Sequence, residues 1–306
     1  MFGKDFISIH DFTPDDVEAI FELAKTMKAN PANYRTSLSG QVLAMIFQKP
    51  STRTRVSFEV GIYQLGGTGL YLGANDLQLG RGETIADTAR VLSRYANGIM
   101  ARTFGHDVVM DLAQFATVPV INGLTDLLHP CQAVADYFTI REKKGNLRGL
   151  KLAYVGDGNN VAHSLMFGAT KVGMHIAVAT PKSYTPDPNI MKLAKADAKI
   201  FNVKVEWTTD AEQAVRDADV VYTDVWASMG QEKERARRVK IFKKYQVSQR
   251  LMSKARPDAL FMHCLPAHRD EEVAAEVMDS PQSIVFDEAE NRLHTQKAIM
   301  YTLMRR

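Results

Sequence analysis

An α/β architecture of two doubly wound parallel-sheet domains joined by a long helix is predicted by three observations. The chain has 306 residues, more than one core usually organises and suited to two domains of about 150 residues each. Short apolar, β-rich runs alternate with helical patterns along its length, the signature of strand–helix repetition. Those runs carry little polar alternation, as expected of strands covered on both faces.

The elements follow in order. Thr13 opens TPDDVEAIFELAKTMK with an N-cap, a proline at the first helical position and acids in the first turn. Residues 41–48 (QVLAMIFQ) read as a buried strand, followed by a polar loop and a helical pattern over 52–65. Strand-like GLYL, helix-like TIADTARVLSRY, and strand-like GIMAR and VPVING come next. A long helical run, 131–143, ends at Gly145 and is read as the bridge between halves. In the second half, 151–155, 175–179, 203–207, 220–224 and 259–262 are the strand candidates. The expected domains are therefore 1–146 and 147–287, with the last segment, 288–306, packing back on the first. Open parallel sheets bind ligands beyond the carboxyl ends of their strands, so the active site is expected in the interdomain cleft.

Composition narrows the function. Thirty-eight basic against 35 acidic side chains leave a formal charge of +3, too mild for a nucleic-acid partner, which demands a concentrated basic stripe. Cys131 and Cys264 are the two cysteines and fit neither a disulfide scaffold nor a metal-ligand spacing. No run approaches the roughly 18 apolar residues of a membrane span. The opening MFGKDFISIHDFTPDD has acids and no apolar core, so neither a secretory nor a transit signal is read in it. The expected setting is the cytoplasm.

The first chemical signal lies in Lys49-Pro50-Ser51-Thr52-Arg53-Thr54-Arg55, where a strand turns into a helix. Ser51 can cap that helix. Arginines in a first turn oppose the helix dipole by about 0.3–1 kcal/mol each. Their placement makes sense if an anion binds there, held by N–H groups, hydroxyls and guanidinium. The plainer alternative is a solvated helix start with Arg55 paired to Glu59.

FQKPSTRTRVSFE resembles the carbamoyl-phosphate motif of the aspartate/ornithine carbamoyltransferase family. His129-Pro130-Cys131-Gln132, DVWASMGQE from Asp224, His263-Cys264-Leu265-Pro266 and FDEAENRLHTQKA extend the likeness in the expected order through most of the chain. SMG together with HCLP is similar to the ornithine branch of that family. The resemblance implies transfer of the carbamoyl group of carbamoyl phosphate to the side-chain amine of L-ornithine, giving L-citrulline and phosphate. It implies no metal and no organic cofactor. Ser51, Thr52, Arg53 and Thr54 are expected to hold the phosphate, with Arg292 adding to the anion site. Arg102 would reach both phosphate and carbonyl oxygen, His129 would donate to the carbonyl oxygen, and Gln132 would accept from the carbamoyl NH₂. Gln78 matches a position that serves a neighbouring subunit, implying a homo-oligomer, a trimer in the family. On the acceptor side, Asp224 is expected to hold the α-ammonium and Asn160 the carboxylate. Ser228 and Met229 would complete the clamp, and Cys264 and Leu265 would sit beside the reacting amine and also contact carbamoyl phosphate, with Cys264, Arg102, His129 and Gln132 as the catalytic set.

The mechanism expected is direct attack by the neutral amine, without a covalent enzyme intermediate. A dinucleotide-dependent dehydrogenase is the rival reading of YVGDGNNV, but Val161 occupies the third glycine position of the fingerprint. A non-catalytic binding module is a second rival. Putrescine or a modified ornithine are alternative acceptors; aspartate would call for cations where this chain has Ser-Met-Gly. KERARRVK reads as a solvated helix face following a mobile substrate loop.

Overall fold

The computed structural model describes residues 4–74, 82–228 and 230–305. In chain order the elements are α1 (Pro14–Ala29), β1 (Val42–Phe47), α2 (Thr52–Gln64), β2 (Thr68–Gly73), α3 (Ile85–Tyr95), β3 (Gly98–Arg102), α4 (His106–Phe115) and β4 (Val120–Leu124). Then come α5 (Pro130–Lys144), β5 (Lys151–Val155), α6 (Asn160–Val172), β6 (His175–Ala179), α7 (Pro188–Ile200), β7 (Val205–Thr208), α8 (Ala211–Val215) and β8 (Val220–Thr223). The chain closes with α9 (Arg235–Phe242), α10 (Gln249–Met252), β9 (Leu260–His263), α11 (Ala275–Met278) and α12 (Val285–Met304).

Two compact units result: Met1–Ala135 with Glu290–Arg306, and Asp136–Ala289. The division falls inside α5 rather than at the glycine that ends it, because helices α5 and α12 each give residues to both units. Among the described residues, the first unit holds a sheet ordered β2-β1-β3-β4 and the second a sheet ordered β7-β6-β5-β8-β9. All pairings are parallel. In each sheet the first strand is central and the chain winds outward on both sides of it. The crevices are therefore at β1/β3 and β5/β8, where strand order reverses. No described helix is long and apolar enough to cross a membrane.

Local chemistry explains the elements. Thr13 accepts from the Asp16 amide while Asp16 accepts from the Thr13 amide, a reciprocal cap, and Pro14 supplies the preset φ of a first turn. Strands β1, β3 and β5 are buried almost throughout, which is why they show no two-residue alternation. One core packs Ala44, Ile46, Ile99 and Ala101 against Ala89, Val109 and Leu112 from α3 and α4. The other packs Ala153, Val155, Val221 and Phe261 against Val215, Leu251 and Val277. Helix α4 escapes the sequence reading, which runs from GIMAR directly to VPVING. Only Val109 and Leu112 of its ten residues are buried apolar positions, too few for a visible period.

Candidate active site

One cluster forms in the first unit, where β1, β3 and β4 end. Ser51, extended at φ −165°, caps α2 by accepting from the Thr54 amide at 3.2 Å. No acidic residue occupies the first turn of α2, so its N–H groups and dipole keep their positive potential. Arg55 turns away: it pairs with Glu59 at 3.1 Å and lies 3.9 Å over the Tyr71 ring. The plain alternative thus holds for Arg55, while Arg53 stays half-buried beside the site.

Arg102, the last residue of β3, donates to the Thr54 hydroxyl at 3.4 Å. Arg292, from α12, donates to the same hydroxyl at 3.2 Å and to Gln132 Oε1 at 2.6 Å. Gln296, one helical turn beyond Arg292, accepts from that guanidinium at 2.9 and 3.0 Å with its amide oxygen turned toward it, and donates to Ser57. Both arginines are nearly inaccessible to water, and each donates to the neutral Thr54 hydroxyl. Lys49 is tied elsewhere, paired with Asp126 and 4.4 Å from the Phe104 ring centroid. It braces the loops after β1, β3 and β4.

His129 stands just before α5, its carbonyl accepting from the Gln132 and Ala133 amides. Burial, then the charges of Arg292, Arg102 and Arg53, hold its imidazole well below the usual histidine range. It is a neutral ring at physiological pH, a hydrogen-bond donor surrounded by positive potential. Gln132, one turn on, is oriented by Arg292, which donates to its side-chain oxygen. Cys131 points inward, donating to the Asn122 carbonyl at 3.3 Å, and burial pushes its thiol up to about 12. It is inert.

A separate cluster forms in the second unit, where β5, β8 and β9 end. Asp224 accepts from its neighbour's amide at 2.8 Å and from the Cys264 thiol at 3.1 Å with one oxygen, and from Asn159 at 2.7 Å with the other. Asn159 is the cap of α6, its side-chain oxygen accepting from the Val161 and Ala162 amides and from the Tyr154 hydroxyl. Asn160 is the first residue of that helix. The sequence reading passed over Asn159, although an Asn just before a helical run is a capping signal. Burial, and then the charges of Asp224 and Glu288, keep the Cys264 thiol protonated well above its usual range. That favours a thiol that orients a neighbour over a thiolate that attacks one.

Leu265 holds φ at +59°, a left-handed conformation that costs a non-glycine residue about 1–3 kcal/mol. Its amide donates to His263 Nδ1 at 2.8 Å, and His263 Nε2 lies 3.1 Å from Glu272. That network assigns the ring proton to Nε2. Ser228 is held in a tight turn by reciprocal bonds with Gln231 at 3.1 and 2.9 Å. Gln78 and Met229 lie outside the described residues.

The KERARRVK stretch is not uniformly solvated. Arg235 and Arg237 are exposed, but Arg238 is 6 % exposed. Arg238 donates to Asp157 at 2.7 Å, to the Trp226 carbonyl at 3.0 Å and to Glu234 at 3.0 Å, and stacks 4.7 Å from the Tyr184 ring. It therefore ties the loop after β8 to the loop after β5. Burial raises the Asp157 carboxyl to about 6 against the pull of Arg238. The loop after β5 is held from another side at Gly158. A Cβ there would lie 2.3 Å from the Pro186 nitrogen and 2.4 Å from the Thr185 carbonyl carbon. The Gly158 amide donates to Tyr184 at 2.9 Å and the Asp187 amide to His163 at 2.8 Å.

Residues 4–142 match the model of the aspartate/ornithine carbamoyltransferase carbamoyl-P binding domain, and residues 148–303 match that of the Asp/Orn binding domain. The ornithine carbamoyltransferase of Thermococcus kodakarensis is 61% identical over 304 residues, covering 99% of this chain and 96% of the relative. That of Symbiobacterium thermophilum is 62% identical, covering 99% and 98%. The solved ornithine carbamoyltransferase of Pyrococcus furiosus superposes with a TM-score of 0.96 at 57% identity, covering 99% of this chain and 97% of that one. With two family domains in sequence and both parallel sheets matched, the chain belongs to the aspartate/ornithine carbamoyltransferase family.

Proposed function

We propose that the chain transfers the carbamoyl group of carbamoyl phosphate to the side-chain amine of L-ornithine, releasing L-citrulline and phosphate. The observation that carries this reading is the neutral, buried His129 within the field of Arg53, Arg102 and Arg292 beside the capped start of α2. A dianion suits that field, and a carbonyl attached to it would meet a donor that holds its own proton. Ser51, Thr52, Arg53, Thr54 and Arg292 hold the phosphate; Arg102 and His129 take up charge developing on the carbonyl oxygen; Gln132 accepts from the carbamoyl NH₂. Asp224 holds the α-ammonium of the amino acid, Asn160 its carboxylate, and Ser228 and Met229 complete the clamp. Cys264 and Leu265 orient the amine.

The neutral amine attacks the carbonyl carbon, a C–N bond forms, and the tetrahedral intermediate collapses by breaking the C–O bond to phosphate. The leaving phosphate takes the proton lost by nitrogen, so the step balances without a cofactor. A free amine of this kind titrates near 10, so the site must select its neutral form. Supply of citrulline for arginine biosynthesis in the cytoplasm, by a homotrimer in which Gln78 completes a neighbour's anion site, agrees with this chemistry.

Product formation from carbamoyl phosphate with ornithine, putrescine, N-acetylornithine and aspartate tests the reading. Citrulline from ornithine is expected to dominate; equal turnover of putrescine, which has no carboxylate for Asn160, would refute the amino-acid clamp. A pH effect follows from Asp157. Its folded pKa is raised, so any stabilisation from proton uptake is present at low pH and lost as pH rises through about 6. The ionic bond to Arg238 exists only above that range. The KM for ornithine is therefore expected to climb as pH falls from 7 to 5. In Asp157→Asn it should be high throughout and keep only the pH dependence that protonation of the ornithine amine itself imposes, as initial-rate profiles would show.

A further inference from the structure

Glu288 takes no part in the chemistry above, yet it is completely buried on α12 with the carboxyl of Asp136, from α5, hydrogen-bonded to it. Two buried carboxyls in such contact hold a shared proton, because two adjacent negative charges in a dry site repel strongly. Burial, and then the charge and hydrogen bond of Asp136, accordingly push Glu288 well above the usual carboxylate range. One Glu288 oxygen accepts from the Tyr222 hydroxyl at 3.1 Å and the other from the His263 amide at 3.0 Å.

These two partners sit at telling places. Tyr222 is two residues before Asp224, on β8; His263 immediately precedes Cys264, on β9. The outer edge of β9 is covered first by backbone, with the Phe261 amide donating to Gln282 and the Ile284 amide to Phe261. His263 is the next residue of β9 facing that edge, and there a side chain takes over from backbone. A buried N–H needs some acceptor, but a neutral amide would meet that need at lower desolvation cost than a carboxyl pair. What the carboxyl adds is a second acceptor oxygen, and it is spent on the neighbouring strand.

We propose that Glu288 is a positioning residue of the acceptor half-site, its two oxygens clamping the ends of β8 and β9 so that Asp224 and Cys264 meet at bonding distance. The kinetic part of this proposal rests on the transfer to ornithine put forward above. Asp136 holds the clamp in orientation from behind. The titratable groups that interact with the pair include Tyr222 and Cys264 from the two strand ends and Tyr137 from α5.

Glu288→Ala, Glu288→Gln and Tyr222→Phe in the full chain test the clamp. Circular dichroism and melting curves establish which variants fold. In Glu288→Ala, kcat/KM for ornithine is expected to fall about ten-fold, the loss of two buried hydrogen bonds. The KM for carbamoyl phosphate should stay unchanged. Glu288→Gln keeps one acceptor oxygen and should recover part of the loss, and Tyr222→Phe should lose about five-fold. Iodoacetamide provides a readout independent of turnover. With the clamp gone, Cys264 should alkylate at lower pH than in the wild type, while the buried Cys131 stays unreactive. Should Glu288→Ala fail to fold, the other two variants decide by the same measures. Folded variants with donor and acceptor constants changed in parallel, or with a wild-type alkylation profile, would overturn the proposal. A wild-type protein that makes no citrulline would instead refute the proposed reaction, and the Cys264 profile would still decide whether Glu288 clamps the strand ends.

Discussion

His129→Ala is expected to lower kcat about 10²–10³-fold while the chain stays folded and still binds carbamoyl phosphate, the usual effect of deleting one donor to a developing oxyanion. On the proposed assignment the phosphate is held by other residues, so the KM for carbamoyl phosphate should change far less than kcat. Steady-state kinetics with both substrates varied give the two constants separately. Near-normal turnover would remove His129 from the chemistry. The same residue carries a stability signature. Its folded pKa is depressed, so its neutral ring contributes stability above the unfolded value of about 6.5, and that contribution is lost as pH falls below it. Denaturant titrations at pH 7 and 5 should show a smaller acid-induced loss in His129→Asn than in the wild type.

Asp224→Asn should be nearly as severe, through the acceptor. One Asp224 oxygen accepts from Asn159, whose own oxygen is committed to the first amides of α6. An amide nitrogen in that place would face a second amide nitrogen. Asn159 could turn round only by giving up its cap, which costs about 1 kcal/mol. Removing one partner of a buried, charged hydrogen bond costs about 2–5 kcal/mol, so kcat/KM for ornithine should fall at least 10²-fold. Carbamoyl phosphate binding should be spared, as calorimetry with that ligand alone would show. A parallel loss of both affinities would mean that Asp224 holds the fold rather than the acceptor.

Much of this was legible in the sequence, for reasons that can be named. Strands buried on both faces write long apolar words, and the parallel sheets followed from them. The STRTR segment stood out as a candidate anion site because arginines oppose a helix start unless an anion answers them; Arg55 is answered by Glu59 instead. Residues whose role depends on a distant partner were not readable. Arg238 sits in a run of like charges, and it is withdrawn from solvent by partners that include Asp157 and Tyr184, far away in sequence. Asn159 and Asn160 are adjacent and identical in type; which of them caps depends on where α6 begins. Glu288 lies in an acidic stretch that reads as a helix start, and its burial is set by Asp136, Tyr222 and His263. Helix α4 offered too few apolar positions to be seen.

The close approach at Gly158 has a consequence for how this scaffold can change. With no room for a side chain and the Pro186 nitrogen 2.3 Å from where one would begin, residues 156–160 and 181–187 are moulded to each other like the two sides of a casting. Neither can lengthen, shorten or bend by itself. A lineage, or a directed-evolution library, that sets out to accept a different amine would have to vary both stretches together.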